Sequence, residues 1–217
     1  MAEHVVLLGD SILDNAAYVG RDPAVIDQVR DALPSGWSAT LLAVDGSVTN
    51  GVIRQLRQLP TGATHLIVSV GGNDSLGASG VLHRSVRSAH EVFNEVADIR
   101  DRFVADYRAM LDAVLARGLP TAVCTVYDGN AGDPVTQRLR SAGLTAFNDV
   151  ITREAVRRGL PVIDLRVLFT DPTDYANPIE PSARGGAKIA REIRTVVTGY
   201  DFASCAAVFY PAARSQP

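Results

Sequence analysis

The stretch HVVLLGDSILDN, residues 4–15, sets the expectation for the whole chain. Four apolar residues run into Gly9 without a polar interruption, which is typical of a strand that is covered on both faces. An acid and a hydroxyl, Asp10 and Ser11, follow at once. A serine at this point is either the N-cap of a helix or a side chain exposed for chemistry. Gly9 favours chemistry, because a glycine permits a sharp turn or the close approach of a ligand.

Four further apolar runs read as strands: SATLLAV, THLIVSV, TAVCTV and LPVIDL. Longer amphipathic segments lie between them, so strand and helix alternate along the chain. This alternation predicts parallel strands joined by right-handed crossovers, with helices on both faces of the sheet. We therefore expect an α/β fold in three α/β/α layers around a five-stranded parallel sheet. We expect residues 1–217 to form it as a single domain.

The helical segments are recognised by apolar residues that recur every three or four positions. The predicted helices cover PAVIDQVRDAL, NGVIRQLRQL, and approximately residues 91–117, 136–158 and 182–198. Gly118 and Gly159 directly follow two of them, where a C-terminal glycine is favoured. Near the C-terminus, the apolar residues Phe202, Val208 and Phe209 are expected to pack as an extra strand or against a helix, with a dimer surface as the alternative.

Composition excludes several classes of function. The net charge is −3 with a pI of about 5.8 and no basic stripe, so nucleic acid is not expected as a partner. No apolar run reaches the length of about 18–20 residues that a membrane span needs. The N-terminus lacks the pattern of a secretory signal, and these features together predict the cytoplasm. Cys124 is expected to be a small core residue, with a disulfide to Cys205 as the less favoured alternative.

No group of His, Cys, Asp and Glu residues has the spacing of a zinc site, and no glycine-rich segment fits a phosphate loop. The sequence therefore predicts neither a metal nor another cofactor. The expected partner is a small molecule, and the oligomeric state is not determined by the sequence.

Three polar segments follow the first three predicted strands: GDS, VDGS and GGND. Because the carboxyl ends of parallel strands meet at one edge of the sheet, we expect these segments to lie together. There the side chain of Asn73 and the amides of Ser11 and Gly46 would surround an anionic oxygen, as acyl transfer requires. The structural alternatives are a turn glycine at Gly46 and a tight loop at GGND.

These segments, in this order, resemble the first three sequence blocks of the SGNH/GDSL hydrolase family, and NPIEPSARGGAKIA, residues 177–190, is similar to its last block. The resemblance spans almost the whole chain. It implies a flavodoxin-like sheet, a nucleophile at Ser11, and an oxyanion hole from the amides of Ser11 and Gly46 with the side chain of Asn73. Members of the family mostly hydrolyse esters, and some transfer acyl groups.

The last block departs from the family pattern. The family carries Asp-x-x-His there, whereas the matching residues in this chain are Asn177 and Glu180. In one interpretation Glu180 is the base. An ordinary Glu has a pKa of about 4.3 against about 6.5 for His, and burial would raise it toward a useful value. A neutral Asn177 fits this interpretation, because Glu becomes neutral on accepting a proton and needs no second carboxylate beside it.

Two other interpretations remain open. The base could be His83 or His90, which follow GGND, whereas His65 and His4 are expected at the opposite end of the sheet. Asp174 could orient such a histidine, although capping of its own turn is favoured. Alternatively, the site could bind a carbonyl or carboxylate ligand without turnover. The sequence favours a serine-dependent hydrolase of a small acyl ester with Ser11 as nucleophile and Glu180 as base, with a binding protein or an acyltransferase as alternatives.

Overall fold

A six-stranded parallel sheet runs through the centre of the computed structural model, which describes residues 3–211 of the chain, apart from the side chain of His83. The strands are β1 (His4–Gly9), β2 (Ser38–Leu41), β3 (His65–Ser69), β4 (Thr121–Cys124), β5 (Val162–Ile163) and β6 (Phe209–Tyr210). Their order in the sheet is β2-β1-β3-β4-β5-β6, with parallel pairing throughout. The strand order reverses between β1 and β3, and this is the point at which such sheets bind ligands.

Within residues 3–211, eight α-helices connect the strands. They are α1 (Ala16–Val19), α2 (Val25–Ala32), α3 (Gly51–Gln55), α4 (Gly72–Ala78), α5 (Ala89–Leu115), α6 (Pro134–Arg158), α7 (Leu165–Leu168) and α8 (Ala183–Gly199). Helices α2, α7 and α8 pack against one face of the sheet, and α3, α5 and α6 against the other. The predicted three-layer α/β fold is therefore confirmed. None of the helices between residues 3 and 211 is long and apolar enough to cross a membrane.

The continuous apolar run of β1 is explained by burial on both faces. Val5 and Leu7 belong to the core under α2 and α8, whereas Val6 and Leu8 belong to the core under α5 and α6. All four side chains are fully buried. Since β1 lies between β2 and β3, neither face nor edge of the strand meets solvent between Val5 and Leu8, which explains why this run is apolar.

Two sequence expectations need correction. The sheet has six strands rather than five, because Phe209 and Tyr210 pair with β5 as an additional edge strand. The expected extra strand at the C-terminus is thus present. In addition, GGND does not form a tight loop but begins helix α4 at Gly72. Helices α5 and α6 end just before Gly118 and Gly159, as expected, and Gly159 adopts the left-handed conformation.

Gly9 is required by the close approach of β3. Its φ is +137°, and a Cβ atom at this position would be 1.8 Å from the carbonyl oxygen of Ser69. The buried side chain of Gln55 holds the same peptide from the other side, since its amide accepts from Gly9 N at 2.8 Å and donates to Gly9 O at 2.7 Å. The end of β1 is therefore fixed on both sides just before Asp10 and Ser11.

We expect Gly9→Ala to lower the free energy of unfolding by at least about 2 kcal/mol, because a strained φ is combined with a backbone clash. Gly77→Ala is the matched control, since a Cβ there meets no atom within 4 Å and α4 gains a better helix former. Chemical denaturation measures both variants. A Gly9→Ala protein as stable as the parent would contradict this packing.

Candidate active site

A small cleft opens at the carboxyl edge of the sheet, beside the ends of β1 and β3. Its volume is about 50 Å³, and its lining includes Ser11, Asn73 and Glu180. These three side chains come from the segment after β1, from α4 and from the loop before α8. The structure thus brings together residues that the sequence separates by up to about 170 positions.

Ser11 lies in a turn and not at a helix N-cap. The carbonyl of Asp10 accepts from the amides of Leu13 and Asp14, both at 3.1 Å, and α1 begins only at Ala16. The Asp10 carboxyl, through Oδ1, accepts the amide of Ile12 at 3.1 Å. The capping alternative for Ser11 is therefore wrong, because Asp10 satisfies the turn amide instead. In the part of the chain that the structure describes, the Ser11 amide has no acceptor.

The second and third segments are held together by side-chain hydrogen bonds. Asn73 Nδ2 donates to the carbonyl of Ser47 at 3.0 Å. The neighbouring Asp74 accepts from both the amide and the hydroxyl of Thr49, each at 3.0 Å. Gly46, with φ of +74°, lies on this loop but does not line the cleft. Within residues 3–211 its amide has no acceptor, and its role in an oxyanion hole stays a prediction.

Glu180 points into the molecule and not into bulk water. Its exposed fraction is 4%, and its Oε2 is buried without a hydrogen-bond partner. The side chain of Asn177 does not line the cleft; its Oδ1 accepts from the amides of Ile179 and Glu180, both at 2.9 Å. Asn177 therefore shapes the turn that carries Glu180.

Three side chains from elsewhere in the fold anchor this turn. Asn15 is fully buried, donates to the carbonyl of Pro181 at 3.1 Å and accepts from the amide of Val25 at 2.8 Å. Tyr127 donates to the carbonyl of Ile179 at 2.7 Å, and Arg140 donates to that of Pro178 at 2.9 Å. The sequence analysis missed all three, and no local sequence pattern marks them. Asn15 links the Ser11 turn directly to the Glu180 turn.

The electrostatics of the cleft favour a carboxylate that can accept a proton. Burial raises the pKa of Glu180 above its ordinary value of 4.5, the nearby Ser11 side chain lowers it in part, and the charge of Asp45 raises it further. No ion pair involves Glu180 within the described residues. Glu180 is thus a stronger base than an exposed glutamate.

The histidines lie elsewhere as far as the structure describes them. His4 and His65 are near the starts of β1 and β3, at the opposite end of the sheet from Ser11. His90 is exposed on the first turn of α5 and contacts Asn94, while the side chain of His83 is outside the described part. Asp174 forms a capping box with Asp171, so its expected capping role is confirmed.

Across the described ranges, no group of three or more His, Cys, Asp or Glu side chains is placed to hold a metal ion. The cleft itself offers the side chains of Ser11, Asn73 and Glu180 and the neighbouring amides.

Solved structures share this architecture. The lipase Lip_vut3 from a goat rumen metagenome aligns with a TM-score of 0.70 at 16% identity, covering 91% of this chain and 98% of that chain. The acetyl xylan esterase AlAXEase aligns with a TM-score of 0.66 at 14% identity, covering 89% and 99%. An extracellular lipase from Streptomyces rimosus gives 0.61 at 18% identity, covering 88% and 98%. At these identities the likeness establishes the fold.

Sequence comparison establishes the family. No match is found among proteins of curated function. The model of the GDSL-like lipase/acylhydrolase family, however, matches residues 7–188, which include Ser11, Asn73 and Glu180. Because the match covers most of the chain, including the end of β1 and all of β2 to β5, this chain belongs to the GDSL-like lipase/acylhydrolase family and is a carboxylic ester hydrolase of that type.

Proposed function

We propose that the chain hydrolyses esters of small acyl groups with Ser11 as the nucleophile and Glu180 as the base. The observation that carries this proposal is the placement of Glu180, which is almost fully buried in the same cleft as Ser11, with the Ser11 side chain near enough to lower its pKa. A base must lie within hydrogen-bond reach of the proton that it takes. Among the described side chains that line the cleft there is no histidine.

In the first step, Ser11 Oγ forms a bond with the ester carbonyl carbon while its proton passes to Glu180. The electron pair of the carbonyl bond moves to the oxygen, which becomes an oxyanion. The amides of Ser11 and Gly46 and the side chain of Asn73 are the proposed donors to it. Within residues 3–211 the amides of Ser11 and Gly46 have no acceptor, which supports this assignment. Asn73 Nδ2 has two N–H groups, so its bond to Ser47 leaves one for the oxyanion.

The oxyanion then collapses and the bond to the leaving alkoxy oxygen breaks. Glu180 returns the proton to that oxygen, which leaves as an alcohol. A water molecule then attacks the acyl-serine carbonyl carbon while Glu180 accepts a proton from the water. The bond between that carbon and Ser11 Oγ breaks, and Glu180 returns the proton to Oγ. Asn177 acts as a positioning residue, because its hydrogen bonds hold the turn that presents Glu180. The products are an alcohol and a carboxylic acid.

The volume and the lining of the cleft favour a substrate with a small acyl group. A volume of about 50 Å³ accommodates only a few heavy atoms. Much of its wall is apolar, formed by Ile12, Leu76, Val126, Leu144 and Ile179. The acetyl xylan esterase with the same fold is named for a small acyl group as well. Long acyl chains are expected to be poor substrates.

We also propose a cytoplasmic location. Cys124 is buried and Cys205 is exposed, and both are free thiols in the structure. An exposed free thiol is compatible with a reducing compartment, where disulfides seldom persist.

We expect cleavage of 4-nitrophenyl acetate by the purified protein, and a loss of at least about 10³-fold in Ser11→Ala, because no other group can form the acyl intermediate. Ser75→Ala is the matched control, since Ser75 is another serine that lines the cleft. A fluorophosphonate should add one covalent group to the parent and none to Ser11→Ala by intact mass. Absence of an adduct on the parent would favour the binding-protein alternative, which predicts thermal stabilisation by a carboxylate ligand without turnover.

We expect Glu180→Gln to reduce kcat by about 10²–10⁴-fold, because glutamine cannot accept the serine proton. In the parent, the rate should fall as the pH drops through the raised pKa of Glu180, since protonation removes the base. Asn177→Asp combined with Glu180→His should move this acidic limb toward the ordinary histidine pKa of about 6.5. If Glu180→Gln retains the parent rate, the base is another residue, and His83→Ala and His90→Ala identify it.

Asp45→Asn should shift the acidic limb of the parent to lower pH without abolishing activity. The charge of Asp45 raises the pKa of Glu180, so its removal makes Glu180 easier to ionise. Asparagine can still accept the hydrogen bond that Tyr18 donates at 2.6 Å. A pH–rate profile measures the shift, and Asp31→Asn controls for the loss of a distant exposed charge. A limb that moves to higher pH would contradict Glu180 as the titrating group.

A further inference from the structure

Asp10 is the second buried carboxyl of the cleft, and the proposed mechanism does not use it. Its exposed fraction is 1%, and it lines the cleft together with Ser11 and Glu180. Its two oxygens differ: Oδ1 accepts the amide of Ile12, whereas Oδ2 is buried and has no hydrogen-bond partner among the residues that the structure describes. Oδ2 faces the first turn of α4, since a Cβ atom at Gly72 would lie 3.7 Å from it.

The groups around Asp10 offer no cation to balance a negative charge. Glu180 faces it from the loop before α8 and Asp74 from α4, and both oppose its ionisation. The Cys124 thiol and the Tyr127 hydroxyl approach from β4 and the segment after it. Arg140 lines the same cleft but donates to the carbonyl of Pro178. No ion pair involves Asp10 in residues 3–211, and an unpaired buried charge is costly.

From this geometry we propose that Asp10 is held as a neutral carboxylic acid, with its proton on Oδ2, so that the cleft carries one negative charge, on Glu180. Oδ1 is the acceptor for Ile12, which leaves Oδ2 as the oxygen that bears the hydrogen. Asp10 is a positioning residue: it shapes the turn at Ser11 through Oδ1 and keeps a second charge away from Glu180.

The order of ionisation is consistent with this assignment. Burial raises the pKa of Asp10 to about 8 against the opposing effect of the Ile12 amide, and the charges of Glu180 and Asp74 add to the rise. The pKa of Glu180 is raised too, chiefly by burial. Asp10 has no ion-pair partner within residues 3–211 and is opposed by the Glu180 carboxylate, so it is the carboxyl of the pair that keeps its proton.

This assignment has a consequence for catalysis, which rests on the proposed function. While Asp10 is neutral, the oxyanion forms as Glu180 becomes neutral, and the total charge of the cleft stays constant. Once Asp10 ionises, the oxyanion must form near a second carboxylate. The rate should therefore fall as the pH rises through about 8, and Asp10→Asn should lack this basic limb while retaining activity.

The deciding experiment does not need activity. Denaturant unfolding of the parent and of Asp10→Asn is measured from pH 4 to pH 9, with Asp31→Asn as a control for the loss of one carboxylate. The folded protein keeps the Asp10 proton up to about pH 8, whereas the unfolded chain loses it near 3.8. The parent should thus lose stability relative to Asp10→Asn as the pH rises, by about tenfold in the unfolding constant per pH unit, with the change ending above pH 8.

A second measurement covers the case in which Asp10→Asn does not fold. Carbon-13 NMR of the parent, labelled at aspartate carboxyls, should show one carboxyl that remains protonated at pH 7 and titrates near 8. A constant stability difference between parent and variant, or the absence of a protonated aspartate at pH 7, would overturn the inference. Neither result tests Ser11 as the nucleophile or Glu180 as the base, which the activity experiments test separately. The two proposals can therefore fail independently.

Discussion

The site depends on how closely two strands approach where β1 ends. The carbonyl of Ser69 occupies the space that any side chain at Gly9 would need, and it also accepts the amide of Asp10 at 3.1 Å. Gln55 binds the Gly9 peptide from the opposite side. With its backbone fixed by these contacts, the chain turns so that Asp10 is buried and Ser11 lies at the cleft, beside the first turn of α4. The strand order reverses at the same place, so this close backbone contact lies at the edge where sheets of this kind bind ligands.

Buried amide side chains hold the other segments in place. Asn15 joins the turn after β1 to the Glu180 loop, and Asn148 pairs with both backbone groups of Val126 at the end of β4. Within its own turn, Asn177 accepts from the amides of Ile179 and Glu180. Irregular backbone that is buried must find hydrogen-bond partners, and an amide side chain can supply a donor and an acceptor at once. The cleft is therefore built from rigid turns, which suits a site that must hold donors in a fixed geometry.

The sequence predicts the parts of this fold that depend on apolar periodicity. The first five strands and the long helices follow from it, because burial on one or two faces leaves a repeating pattern. The parts that were missed depend on single contacts. The two residues of β6 are too short to show a period, and GGND begins a helix although its glycines indicate a turn. The pairing of Asn15 with Pro181 joins positions 166 residues apart, and only the folded chain reveals it. Ser11 and Glu180 could be predicted as site residues because the strand ends and the family resemblance mark them.

Replacement of imidazole by a carboxylate changes how charge moves in the site. A histidine base starts neutral and becomes a cation beside the oxyanion, so a nearby carboxylate stabilises it. A glutamate base starts as an anion and becomes neutral as the carbonyl oxygen gains charge, so charge is transferred and none is created. A neighbouring carboxylate would then only repel the oxyanion. In the proposed site two nearby groups avoid that repulsion: residue 177 is an uncharged asparagine, and within the described residues Asp10 is buried with no cation to support its ionised form. An uncharged residue 177 and a neutral Asp10 thus meet the same electrostatic requirement of the proposed carboxylate base, because neither adds a negative charge beside the oxyanion.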